Sequence, residues 1–141
     1  MFLKAFRNSS ISGNTPRSFR DQLNDTGIFS YTGDDFVVEL NNVKHIVAWT
    51  DVNTIFAYKV DMFAVDSIVL EVFCANDFGF TINEETHGWF QFVHRSKEAL
   101  PSMDQSWESK VAVPAFETNL TLVYDRGNRA LEEAEKQYYK T

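Results

Sequence analysis

The chain predicts an α+β fold: an antiparallel, strongly bent sheet of five to seven strands, one amphipathic helix packed across it and a short C-terminal helix. Three observations carry that prediction. Between Phe29 and Asn83 the residues run in short stretches of apolar/polar alternation, the period of a half-buried strand. At Asn83 the period changes, and Trp89, Phe92, Val93, Ser96 and Leu100 recur at helical spacing. Residues 129–139 form a charged segment with a narrow apolar face of Leu131, Ala134 and Tyr138.

The strands follow in order. Ile28-Phe29-Ser30-Tyr31 opens the sheet, Thr32-Gly33-Asp34-Asp35 turns, and Phe36, Val38 and Leu40 alternate with Val37 and Glu39, the pattern of a hairpin. Asn41-Asn42 turns the chain again before the short strand Ile46-Val47-Ala48-Trp49. Thr50-Asp51-Val52-Asn53 breaks it, and Ile55 to Asp61 resumes with Phe56, Tyr58 and Val60 on one face. In the next strand Ile68, Leu70, Val72 and Cys74 face one way, and Val69, Glu71 and Phe73 the other. Asn76-Asp77 is a turn, and Phe78, Phe80 and Ile82 alternate with Gly79, Thr81 and Asn83. β-Branched and aromatic residues dominate these runs, as a pleated surface favours.

Asn83 is a helix-cap residue, and Glu84 and Glu85 suit the positive end of the helix that it would start. Gly88 would let Trp89 pack close to the sheet. Met103, Trp107 and Val111, at i, i+4 and i+8, predict a second short helix, which Pro114 stops. Even spacing of Leu120, Leu122 and Tyr124 predicts one more strand within 118–124, and Gly127-Asn128 separates it from the terminal helix.

At 141 residues this is one domain's worth of chain. It divides into a polar, weakly ordered lead over 1–27, the α+β domain over 28–125 and a helical tail over 126–141. The lead is rich in Ser, Asn and Gly, although part of it, around 16–23, has the pattern of a short helix. The net charge is −7, and it is unevenly spread. Residues 1–28 carry Lys4, Arg7, Arg17 and Arg20 against Asp21 and Asp25, a net of +2, which leaves −9 for the remainder. An acidic body argues against nucleic acid and against anionic membrane surfaces, both of which need clustered Lys and Arg. It suits a basic protein partner. No stretch approaches the eighteen or so apolar residues of a membrane span. With Cys74 as its one cysteine the chain has no internal disulfide, and a cytoplasmic location is expected.

Strand meander, then Glu84-Glu85, Gly88-Trp89 and an amphipathic helix resembles the pleckstrin-homology-like superfold over about residues 28–100. That resemblance implies a bent antiparallel sheet capped by a helix. Its relatives often bind phosphoinositides through a basic loop between the first two strands, which is here the acidic turn Thr32-Gly33-Asp34-Asp35. In size and acidity the chain also resembles small uncharacterised bacterial proteins, some of which neutralise a toxin.

Chemistry is sparse. Glu84, Glu85 and His87 place two carboxylates and an imidazole within four residues, the makings of a small hydrolase site. The plainer assignment is a helix start. His45 and His94 stand apart from any metal-ligand spacing, and no nucleophile elbow, phosphate loop or dinucleotide fingerprint is present, so no cofactor or metal is expected. Thirteen Phe fall mostly in alternation and belong to the core. Trp107, flanked by Gln105-Ser106 and Glu108-Ser109, is the one candidate binding residue, with burial against Met103 and Val111 the favoured alternative. The function expected is a non-catalytic, acidic protein-binding module, and the rival is the hydrolase.

Overall fold

A computed structural model of the protein describes residues 18–62, 65–113 and 120–139. Its seven strands form two antiparallel sheets. β1 (Phe29–Tyr31), β2 (Asp35–Leu40) and β3 (Val43–Ala48) make a three-stranded sheet in that order. β4 (Val52–Met62), β5 (Val65–Cys74), β6 (Gly79–Asn83) and β7 (Thr121–Asp125) make a four-stranded one, in the order β6-β5-β4-β7. Neither sheet closes into a barrel. The helices are α1 (Phe19–Asn24), α2 (Trp89–Ala99), α3 (Trp107–Ala112) and α4 (Leu131–Tyr139). The expected α+β architecture with its short C-terminal helix is therefore present, with the strands divided between two sheets.

Local chemistry explains the joints. Asn41 and Asn42 both take positive φ and close β2 onto β3 in two residues, the geometry that matches strand twist. A single 3₁₀ turn at Trp49–Asp51, where the alternation breaks, carries the chain from one sheet to the other. The inner faces of both sheets meet in one core. Phe92 of α2 enters it and packs on Phe29, Phe36, Trp49 and Phe80, with ring centroids 4.6–6.0 Å apart. The predicted helical stripe is the buried one: Trp89, Phe92, Val93, Ser96 and Leu100. Met103, Trp107 and Val111 are buried as well.

The start of α2 differs from expectation. The helix begins at Trp89, behind Gly88 at φ 96°, and not at Asn83. Asn83 instead caps a turn: its Oδ1 accepts from the Glu85 N–H at 2.8 Å, and its carbonyl accepts from the Thr86 N–H at 2.9 Å. Glu84 and Glu85 therefore stand ahead of the helix and do not serve its dipole.

Gly88 has a different task from the one expected of it. A Cβ there would lie 2.3 Å from the Thr26 carbonyl oxygen, and one on Gly27 would lie 1.9 Å from that of His87. The two glycines, both at positive φ, let two main chains touch, and the Ile28 N–H donates to the His87 carbonyl across the contact. The last residues of the polar lead are thus joined to the domain, with α1 capped by the Ser18 hydroxyl. The remaining lead, over 1–17, and the helix stop at Pro114 lie outside the described residues.

Candidate functional site

The acidic/histidine turn takes its form from the end of β6. Glu84 donates its backbone N–H to the Ile68 carbonyl and accepts the Ile68 N–H on Oε1 at 2.9 Å. Its carboxylate thus continues the β5–β6 ladder one residue beyond Asn83. His87 places Nδ1 3.2 Å from Asp25 Oδ2, while Asp25 Oδ1 accepts from the Gly27 N–H at 2.8 Å. Glu84, Glu85, His87 and Asp25 line one open cleft of about 180 Å³, below the roughly 300 Å³ at which small-molecule sites begin. Among the described residues no three His, Cys, Asp or Glu side chains gather closely enough to hold a metal ion.

Trp107 is 1% exposed and meets Trp89 edge-on at 6.4 Å. The exposure on which its interface role depended is absent: its i, i+4 partners bury it, despite polar neighbours in sequence. Cys74 is buried too, and burial, reinforced by Asp51, pushes its thiol up to about 12, so it is no nucleophile at neutral pH. His45 stacks on Phe78 at 4.7 Å, and His94 pairs with Glu98 one turn on.

Two features escaped the sequence. The first is a polar clamp that fixes the C-terminal segment to the outer face of the four-stranded sheet. Asp125, on β7, accepts from the Arg129 guanidinium at 2.9 Å, from the Arg129 backbone N–H at 2.9 Å and from the Thr54 hydroxyl at 2.8 Å. Burial pushes this carboxyl up, but the Arg129 and Thr54 hydrogen bonds outweigh it and hold the group at about 2. Behind the clamp, Tyr138 stacks on Phe73 at 4.1 Å and Tyr139 packs edge-on over Phe56 at 5.0 Å. The Tyr139 hydroxyl donates to Glu71, and burial first, then that bond, raises its pKa. A cleft of about 410 Å³ opens between this helix and the β5–β6 turn, and among the described residues its walls include the carboxylates of Glu71 and Asp77 and no Lys, Arg or His.

The second feature is the far end of the same outer face. Beyond α4 the β4–β5 hairpin continues with Tyr58 opposite Val69, Val60 opposite Ser67 and Met62 opposite Val65. By strand alternation these side chains share the face that α4 covers at Phe56. Val60 is 39% exposed, Met62 43% and Val65 61%. Ser67 within this strip is buried with its hydroxyl unpaired. Large apolar side chains gathered on one sheet face mark an interaction surface far better than scattered ones do.

No family model matches the chain, and neither a curated protein nor a solved structure does. No helix among the described residues is long and apolar enough to cross a membrane.

Proposed function

We propose that this protein is a non-catalytic protein-binding module with an acidic surface. The observation that carries the reading is the apolar strip of Val60, Met62 and Val65 on the open face of the hairpin. An exposed face of this kind in a chain of net charge −7 suits a basic protein partner better than nucleic acid or anionic lipid. Neutralising or scaffolding such a partner is the role that follows, and the buried, reduced-type Cys74 goes with a cytoplasmic site of action. The pleckstrin-homology-like resemblance supports the binding class by analogy only. The order here sets α2 and α3 between the sixth and seventh strands.

The test is a photo-crosslinking residue at Val65, with one at exposed Ser30 as the comparison, in the cell that makes the protein. The expected result is a discrete protein adduct from Val65 alone. Equal adducts from both positions, or none from Val65, would discard the reading.

The hydrolase alternative has one observation in its favour, the shared cleft of Glu84, Glu85, His87 and Asp25. It is checked by thermal melts with Zn²⁺, Mn²⁺ or Mg²⁺. A metal held at 100 times its dissociation constant stabilises by about 2.7 kcal/mol. No shift is expected. A shift that disappears in Glu84→Gln/Glu85→Gln would replace the binding module with the enzyme.

A further inference from the structure

We infer that this chain forms a symmetric dimer in which β3 pairs antiparallel with β3 of a second copy, Ile46 lying on the twofold axis. The contact belongs to the three-stranded sheet and does not rest on the hairpin strip.

The first ground is the direction of the main-chain groups. β3 is an edge strand, bonded to β2 alone. Asn41-Asn42 joins Leu40 directly to Val43, so Val43, His45 and Val47 are the residues that exchange hydrogen bonds with β2. The Trp49 N–H continues that alternation by donating to the Asp34 carbonyl at 3.0 Å. Lys44, Ile46 and Ala48 therefore turn their N–H and C=O groups outward, away from β2. Natural edges are shielded by proline, bulges or short length. β3 runs for 6 residues with neither a proline nor a register shift. β1, at the other edge of this sheet, has 3 residues, and β7 pairs through a register shift. A cleft of about 400 Å³ separates residues 44–47 from the turn at 75–78, which leaves room beside β3 for the inward side chains of an added strand.

The second ground is self-complementarity. With Ile46 opposite itself, Lys44 falls opposite Ala48 of the second copy and Ala48 opposite Lys44, and each pair exchanges main-chain hydrogen bonds. The side chains on the outer face then form rows across the joint sheet. The central row reads Val37 and Ile46, then Ile46 and Val37 of the second copy. Ile46 is 75% exposed in the single chain, more than any other large apolar residue described, and this row covers it. Each flanking row reads Glu39 and Lys44, then Ala48 and Asp35 of the second copy. The small Ala48 lets Lys44 reach over it to that Asp35. Among the described residues neither Lys44 nor Asp35 has an ion pair, although Glu39 stands opposite Lys44 on β2. This register engages every outward residue of β3, whereas centring on Lys44 would set like charges opposite each other.

Sedimentation velocity on the full chain, from about 1 µM to about 500 µM, tests the proposal. A concentration-dependent equilibrium between monomer and dimer is expected. Ile46→Pro removes an outward N–H and spares the ladder to β2, so the variant should keep its circular dichroism spectrum and stay monomeric. The charge variants read the same contact independently of that proline. Lys44→Glu and Asp35→Lys should each weaken the dimer about tenfold, and the double variant should return to within about threefold of the parent. Met62→Asp/Val65→Asp should leave the equilibrium unchanged. A parent that is monomeric throughout the range would overturn the proposal. So would a dimer that survives Ile46→Pro, or one that the charge exchange fails to restore. A dimer dissolved by Met62→Asp/Val65→Asp would overturn it too, and would move the contact to the hairpin.

Discussion

The two faces of the four-stranded sheet are built on opposite principles. The inner face carries Ile55, Leu70, Val72, Phe80 and Ile82 into a core shared with the three-stranded sheet and α2, and there the strands bury their apolar side chains almost completely. The outer face is mixed. At one end it holds α4 through a carboxylate clamp and stacked rings; at the other it leaves Val60, Met62 and Val65 exposed. The inner face follows the rule that apolar burial drives folding, and its residues can be replaced only at the expense of stability. The outer face combines hydrogen bonds that fix one helix in place with apolar area that folding does not use.

That contrast can be broken by measurement. Phe92→Ala, at the centre of the inner core, should destabilise by roughly 3–5 kcal/mol in urea melts, the range for deleting a buried aromatic ring. A loss of less than about 1 kcal/mol would show that the inner face is not what holds the fold.

The clamp should give a smaller loss, and one that depends on pH. The Asp125 carboxyl, held at about 2, lies below its unfolded value of about 3.9, so its contribution of about 2 kcal/mol is fully present above that value and is lost as pH falls towards 2. Asp125→Asn should therefore remove that stability at pH 7 and make the variant less sensitive than the parent between about pH 4 and 2. A parent and variant whose stabilities fall in parallel over that range would remove Asp125 from the account.

The smallest effect belongs to the hairpin. Met62→Ser and Val65→Ser should each change stability by no more than about 0.5 kcal/mol, as surface substitutions do. A larger loss would mean that the strip is part of the folded core and would remove it as a docking surface.

The sequence was informative where the physics is local. Alternation located the strands and even assigned Ile68, Leu70, Val72 and Cys74 to one face, because a period of 2 survives whatever covers the sheet. The stripe from Trp89 to Leu100 was legible for the same reason. Asn83-Glu84-Glu85 misled because residues that cap a helix also cap a turn, and the choice was made by Gly27, sixty-one residues upstream of Gly88. Trp107 could be read two ways, because its sequence neighbours are polar while its helical neighbours, Met103 and Val111, are not; the burial that the helical spacing favours is what the structure has. The clamp was out of reach: Thr54 and Asp125 meet across a separation of 71 residues, and no local pattern encodes that pairing. Alternation placed Phe56, Tyr58 and Val60 on one face but stopped short of Met62 and Val65, and no local pattern says how much of that face the distant α4 covers.

The burial of Cys74 has a practical consequence. A thiol held in the core, with its ionisation pushed up to about 12, reacts with alkylating or disulfide reagents only when the chain opens around it. Its modification rate is therefore a clock for the opening of β5, running without any label. In the native state burial also disfavours its thiolate, so a cysteine placed at exposed Met62 would be the faster-reacting handle on the molecule. A fluorophore attached there would report directly on whatever approaches the hairpin, with no need to remove the natural thiol first.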